Sequence, residues 1–599
     1  MLNKFLRAVA SALTAVLLML AMCLVSCENG GAADTSSAPD QTLSPEAGEQ
    51  TTAAEVTTED LSKIAENDIR RWRDKAIGGN WALALSAALS ECDSVYLPAG
   101  TYRMSSVTVP SGKTVYGDGA SSRLIPIGRR LFNITGTESA VSGLASDAED
   151  NGSVFALEKD IGLTAGDLVY VFGQRNCQIL RDCGSEWTLG RTYSKGFTCF
   201  FAEFLRVEAV SDEGKSFISA SKSIFPGYRA DGTREHPPKK PHTPRDDYPF
   251  MRSCTTVSKI LPAGGVILRD LAIAECRGGT AVLLRFADSC RLERIVFSSA
   301  TDSAPEAGLI FVYASESVDC VISDCTFSVP CRPARRSDYK WADYWSYNTA
   351  RIVSSQRCGF ERCESDFSTH AFEIGKADKH GTSSGCFVRG CRASGAVWSG
   401  VFIGGGCFDS TVTDCRITDS AQGIVVCGRK NFISGNSVEL NADPDADYYY
   451  VKKNDGGSAG IALIEGYSVD STVCRNSVSG ADTAFLIRDG YEDDNRFESG
   501  NILICQNTSQ GCGRAVMVYR NTSNIGKNGF TLTLRENSFY GSKGCAVLAD
   551  KEAELLLGDD NLIVGYEEKL QRLPESRRCF RKAGGTPQPL LRDPQAPTE

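Results

Sequence analysis

Leu271-Ala272-Ile273, Ile295-Val296-Phe297, Cys325-Thr326-Phe327, Cys363-Glu364-Ser365, Cys391-Arg392-Ala393, Cys415-Arg416-Ile417, Asn436-Ser437-Val438, Asn476-Ser477-Val478, Asn507-Thr508-Ser509, Asn537-Ser538-Phe539 and Asn561-Leu562-Ile563 are one phrase written repeatedly along the chain. Each copy has an apolar, Cys or Asn residue, a spacer, and usually a second apolar residue, with a base spacing of about 24 residues. A unit this short cannot bury its own apolar face and must stack on its neighbours, so a fixed period in this range marks a solenoid.

The units are strands. A second phrase precedes the anchors and alternates with period two: Gly400-Val401-Phe402-Ile403, Gly423-Ile424-Val425-Val426, Gly460-Ile461-Ala462-Leu463, Ala484-Phe485-Leu486-Ile487 and Ala515-Val516-Met517-Val518. Short β-rich runs punctuated by Gly, Asp, Asn and Ser are strand-and-turn text. The chain therefore reads as all-β, a parallel β-helix with two or three strands per coil and coils about 4.8 Å apart. Longer gaps, such as 363 to 391 and 436 to 476, are loops at coil corners, which gather on one face, often the binding face.

The Cys and Asn anchors read as ladders, buried Cys serving as a small hydrophobe and Asn amides pairing along the stack. Cys320/Cys325, Cys358/Cys363 and Cys386/Cys391 fit two inward positions flanking a tight corner, and no Cys/His spacing accompanies them that would hold zinc. Disulfides between rungs also fit the rise.

Residues 1–26 look like a bacterial lipoprotein signal, with Lys4 and Arg7 ahead of an apolar run that ends at Leu24-Val25-Ser26-Cys27. Cys27 would carry the lipid; an ordinary secretory signal or a membrane anchor is the alternative. Residues 27–60 read as a flexible tether and 61–565 as the solenoid. Residues 566–599 turn polar and Pro-rich, a cap remnant with a disordered tail. These features place the protein on the extracellular face of a bacterial membrane, lipid-anchored. A net charge of −10 with mixed signs argues against a nucleic-acid partner.

The segment 81–127 carries a helix-like Ala82-Leu83-Ala84-Leu85-Ser86-Ala87-Ala88-Leu89, then Val95-Tyr96-Leu97-Pro98-Ala99-Gly100-Thr101-Tyr102, then Val109-Pro110-Ser111-Gly112-Lys113-Thr114-Val115-Tyr116-Gly117-Asp118-Gly119. It resembles the N-terminal cap and first coils of the pectate lyase superfamily, which includes polygalacturonase-related and epimerase-like proteins and phage tailspikes. The resemblance extends over 264–565 and implies a single-stranded right-handed parallel β-helix with an N-terminal capping helix. It also implies binding or cleavage of acidic polysaccharides, by lyase or hydrolase chemistry, and a monomer or homotrimer. Over 129–260, Gly166–Val171 and Phe204–Val210 read as strands of a small β insertion. The segment around Arg245, Asp246, Asp247 and Tyr248 would reach over a groove as a lid. The chain has no Gly-His-Gly, Asn-Thr-Asp, Arg-Ile-Lys or Arg-x-Pro-x-x-Arg motif. No catalytic residue of that superfamily can be carried over.

Register supplies candidates instead. With Ala371, Gly400, Gly423, Gly460, Ala484 and Ala515 at position zero, positions one and three point inward and position two points out. Glu373 is the charge in that outward column, and Arg351, set by Thr349, falls one rung away at about 5 Å. His370 precedes the strand, and Lys376, Asp378, Lys379 and His380 follow it. Arg335, Tyr339, Trp341, Tyr344, Trp345 and Tyr347 lie in the insertion before Arg351, and Tyr449 lies in another about four coils on, suited to stacking sugars and pairing uronates. A surface ion pair and a packed histidine are the bland readings. No cofactor is demanded; calcium at Asp443, Asp445 and Asp447 is a candidate, against a solvated acidic turn. β-Elimination would use His370 or Lys376 as base and Arg351 to neutralise the uronate; hydrolysis would use Glu373 with Asp366. A non-catalytic glycan-binding or adhesive surface protein is the competing function.

Overall fold

The computed structural model describes residues 64–176, 198–224, 228–230, 233–235, 251–303, 306, 308–331, 348–375, 383–405, 407–440, 457–464, 470–488, 500–519, 530–541, 544–550 and 553–573. The chain winds as a right-handed parallel β-helix. Two long parallel sheets make up its walls: a 24-stranded one, to which most coils give a pair of short strands, and a 13-stranded one, running from Val107–Thr108 to Glu568–Leu573, to which each coil gives one strand. We call these the paired-strand sheet and the single-strand sheet. Phe297, Phe327, Phe360 and Phe372 stack in the core between them.

The anchors occupy the predicted inward column, since Val296 pairs with Thr326, Thr326 with Glu364, Glu364 with Arg392 and Arg392 with Arg416. A single left-handed residue (φ 50° to 69°) stands before each anchor from Leu271 to Asn537, among them Asp270, Arg294, Asp324, Arg362, Asp414, Arg475 and Glu536. A second such corner lies five residues earlier, at Ser289, Asp319, Arg357, Asp409, Lys430 and Asp470. One residue in this conformation turns the chain sharply at a cost of about 1–2 kcal/mol when it is not glycine. Facing corners recover part of it through forked Arg–Asp pairs between coils, Arg357 on Asp319 at 2.7 and 3.0 Å and Arg362 on Asp324 at 2.7 and 2.8 Å.

Between the two corners stand the second inward cysteines, so Cys290, Cys320, Cys358 and Cys386 form one buried row and Cys325, Cys363, Cys391 and Cys415 another. The cysteines of both rows are free thiols. Burial pushes the thiols of Cys276 and Cys386 up to about 12, so they remain protonated small hydrophobes. At Asn436 the second row changes from thiol to amide. Each Nδ2 then donates to the next Oδ1, Asn436 to Asn476 at 2.8 Å, Asn476 to Asn507 at 2.9 Å, Asn507 to Asn537 at 3.0 Å and Asn537 to Asn561 at 2.8 Å.

The small residues at position zero have a steric cause. A Cβ added at Gly400 would lie 2.6 Å from Ile417, because the strand leaves the corner hard against the opposite wall.

The helix Ala82–Glu91 closes the N-terminal end, burying Ala84, Leu85, Ala88 and Leu89 over the first coil. Its Ala/Leu run has high helix propensity, and Asn80 accepts the Ala82 N–H at 3.1 Å. The β insertion is a seven-stranded sheet, antiparallel in its pairings, with its own core around Phe155, Phe217 and Tyr228. It begins at Thr137, after Phe132–Thr135 has already joined the single-strand sheet. It is seated on the solenoid by Phe286, Val318 and Phe408, by a Phe204 N–H bond to Gln356 Oε1 at 2.7 Å, and by Arg206 on Asp288. At the other end the structure departs from the expected boundary at 565, because Glu568–Leu573 adds a last strand to the single-strand sheet.

Candidate functional site

The strand Asn348–Val353 sends Ala350 and Ile352 into the core, and Ser368–Gly375 sends in Phe372 and Ile374. Alternation leaves Arg351 and Glu373 on the outer face, paired in register on adjacent coils. Arg351 Nε lies 2.9 Å from Glu373 Oε1. This is no ordinary exposed pair, because Glu373 is only 5% exposed. Register read from the sequence thus places both residues correctly and misses how far they are enclosed.

Two neighbours extend the column, Phe402 as its position-two register predicts and Tyr313 unforeseen. Tyr313 pairs with Arg351 one coil below, and Phe402 pairs with Glu373 one coil above. Burial raises the Tyr313 hydroxyl; the Arg351 charge opposes that shift and the Glu373 charge reinforces it. The outward-column rule would have found Tyr313 had the phrase Ile310–Ser315 been aligned with the others.

His370 reaches the same face by an irregularity. Pairing with the next coil slips between Ser368 and His370, setting His370 opposite Ser399. Its ring stacks on Phe402 with centroids 4.6 Å apart and packs against Trp398 at 4.9 Å, while Nδ1 meets Ser399 Oγ at 2.7 Å. No hydrogen bond to Nε2 is seen among the described residues. Burial, helped by the Arg351 charge, pushes the imidazole down to about 3, so it is neutral through the physiological range and a weak base. The unfolded chain, with its histidine near 6.5, takes up this proton more readily. Stability from His370 is therefore complete above about pH 6.5 and is lost as pH falls towards 3, at about 1.4 kcal/mol per pH unit. Urea titrations between pH 4 and 7 should show that slope, and His370→Gln should flatten it.

Asp366 occupies the corner that feeds this strand. Its carboxylate accepts from Ser328 Oγ at 2.9 Å and from the Val329 N–H at 3.0 Å, which ties two coils together. Lys376, Arg335, Tyr339, Trp341, Tyr344, Trp345, Tyr347, Tyr449 and Cys27 lie outside the described residues, as do the 443–447 carboxylates and Arg245 to Tyr248. The strands those two insertions feed, Asn348–Val353 and Ala459–Leu463, are four rungs apart, as expected. Among the described residues no cluster of His, Cys, Asp and Glu is suited to a metal ion, and no helix is long and apolar enough to cross a membrane.

The coil geometry is shared with solved proteins of very different sequence. The tailspike gp49 of Pseudomonas phage LKA1 superposes with a TM-score of 0.54 at 13% identity, over 82% of this chain and 74% of that one. The gp54 tailspike of Acinetobacter baumannii bacteriophage AP22, solved with an A. baumannii capsular saccharide, gives 0.55 at 11% identity over 84% and 76%. The fold is the right-handed parallel β-helix that these tailspikes share. No protein-family model matches the chain, and no curated protein matches its sequence. At this identity the likeness carries the architecture alone, and the function must be argued from the site.

Proposed function

We propose that this protein is a surface polysaccharide-active protein that engages acidic glycans on the outer face of its single-strand sheet. The observation that carries the reading is the enclosed Arg351–Glu373 pair, flanked in its column by Tyr313 and Phe402. A guanidinium already largely desolvated is suited to a uronate carboxylate, which would take the place of Glu373 as its partner and leave the Glu373 carboxylate available to accept a proton. The gp54 tailspike, of the same architecture and solved in complex with a capsular saccharide, supports the reading.

The chemistry we infer is β-elimination. Arg351 neutralises the uronate carboxylate, and Glu373, freed from Arg351, takes the C5 proton. The C5–H electrons become the C4=C5 double bond, and the C4–O bond breaks towards the departing sugar oxygen, which takes a proton from water while Glu373 returns the C5 proton to solvent. Neutral His370 would serve as a hydrogen-bonding group through Nε2. The competing hydrolytic pair is disfavoured because Asp366 is committed to Ser328 and Val329. A binding-only protein remains the second reading, supported by the weak basicity of His370 and the mutual neutralisation of Arg351 and Glu373. We further propose the lipid anchor at Cys27 and an extracellular location on a bacterial membrane, with the protein acting as a monomer or homotrimer.

One assay separates these readings. The chain is incubated with pectin, alginate and glycosaminoglycans while ultraviolet absorbance and reducing ends are followed together. Elimination produces both signals, and hydrolysis produces reducing ends alone. We expect Glu373→Gln to lower the absorbance rate by at least about a hundredfold, the usual weight of a positioned proton acceptor. Binding with neither signal selects the adhesive reading, and full activity in Glu373→Gln rejects the site.

A further inference from the structure

The arginines that brace the corners spend their whole fork. Arg294 grips Asp270 through Nε and Nη2 at 2.7 and 3.0 Å, as Arg357 and Arg362 grip their aspartates. Arg285 is held differently. It ends the strand Thr280–Arg285 of the single-strand sheet, and its Nε alone is engaged, on Glu316 Oε2 at 2.7 Å. Its Nη1 and Nη2 have no hydrogen-bond partner among the described residues, and the side chain is 49% exposed. Glu316, by contrast, is buried, so the anchored end of the fork is fixed in the protein. The guanidinium carbon also lies 5.1 Å from the centre of the Phe286 ring, and Phe286 packs with Tyr170 and Phe204 of the β insertion. The fork is thus clamped on one side and open on the other, at the foot of the insertion.

Register relates this arginine to the candidate site. Leu284 points into the core, which leaves Arg285 on the outer face with Arg351. Arg285 pairs with Ser315, and Ser315 pairs with Val353, two residues beyond Arg351 on its own strand. The two arginines therefore stand two coils and two residues apart, about 12 Å between Cα atoms. Tyr313 occupies the coil between them. Two outward guanidiniums with an aromatic ring on the intervening coil suit an extended acidic glycan, whose carboxylates recur along the chain and whose sugar faces are apolar.

We infer that Arg285 forms a second carboxylate-binding subsite, about two sugar units from Arg351, so that the ligand is a run of uronates laid along the single-strand sheet beside the β insertion. The inference rests on the uronate reading of Arg351 and gives the insertion a role as the side wall of the track.

Calorimetric titration of the full chain in the Glu373→Gln background, which slows turnover, with oligogalacturonates and oligomannuronates of two to six units provides the test. With Arg285 intact, binding should tighten by about tenfold or more between two and four units, the weight of one charge-assisted contact. R285Q should abolish that gain. R285K keeps a cation for Glu316 but loses the fork, so it should retain only a small part of the gain. Melting temperatures of both variants separate lost recognition from lost stability, and R285K decides the matter if R285Q does not fold. Retention of the full gain in both variants, or an equal loss at every length, would overturn the second subsite while leaving the Arg351 reading intact. A chain with Arg285 intact that binds no oligouronate of any length would overturn both.

Discussion

Glu373→Ala is expected to lower the unfolding free energy by about 3–5 kcal/mol, a large effect for a residue outside the main core. The cause is Arg351, whose guanidinium, only 17% exposed, would lose its partner at 2.9 Å. Arg351→Ala should cost a similar amount, because the Glu373 carboxylate is the more enclosed of the two. The pair together is a different matter. Replacing both with apolar residues of similar size, Arg351→Met with Glu373→Leu, should recover most of the loss, since the desolvation of both ions disappears along with their attraction. Urea unfolding of the two single variants and the double variant measures this. Single losses below about 1 kcal/mol would make the pair an ordinary surface contact and remove the physical basis for an enclosed site.

Asn507→Ala should be comparably damaging at the opposite wall. Its amide donates to the Val473 carbonyl at 2.9 Å and to Asn537 Oδ1 at 3.0 Å, and accepts from the Asn476 N–H and Asn476 Nδ2, each at 2.9 Å. Alanine would leave a buried backbone N–H and a buried carbonyl without partners, each costing about 1–3 kcal/mol, together with a small cavity. The expected total is about 3–5 kcal/mol. Asn561→Ala, at the partly covered end of the row, should cost clearly less, so thermal melts of the two variants should rank 507 below 561. Equal small shifts would mean that water substitutes for the amide throughout.

The coils were legible because two periods reinforce each other. Alternation within a strand put Phe372 and Ile374 inside, and the anchor spacing then fixed which residue of the next coil faced Glu373. That was enough to bring Arg351 and Glu373 together from letters alone. The environment of His370 was not legible, because it depends on a slip in pairing after Ser368 that brings the ring onto Trp398 and Phe402 of another coil. Asp366 looked like a free carboxylate for the same reason, since its partners Ser328 and Val329 are a full coil away. The last strand was missed because Glu568–Leu573 has one apolar inward residue, Leu570, followed by Arg572 where every earlier coil is apolar. A terminal unit departs from the consensus that identifies the others.

The amides from Asn436 to Asn561 all face the same way, Oδ1 towards the N-terminal end and Nδ2 towards the C-terminal end. Their dipoles therefore add instead of cancelling, and each polarises the next in a medium from which water is excluded. The row behaves as a wire of fixed polarity parallel to the solenoid axis. Its positive terminus emerges at Asn561, next to Asp560 in a coil whose exposed carboxylates outnumber its bases, so the fold supplies its own electrostatic counterweight to the acidity of its last turn.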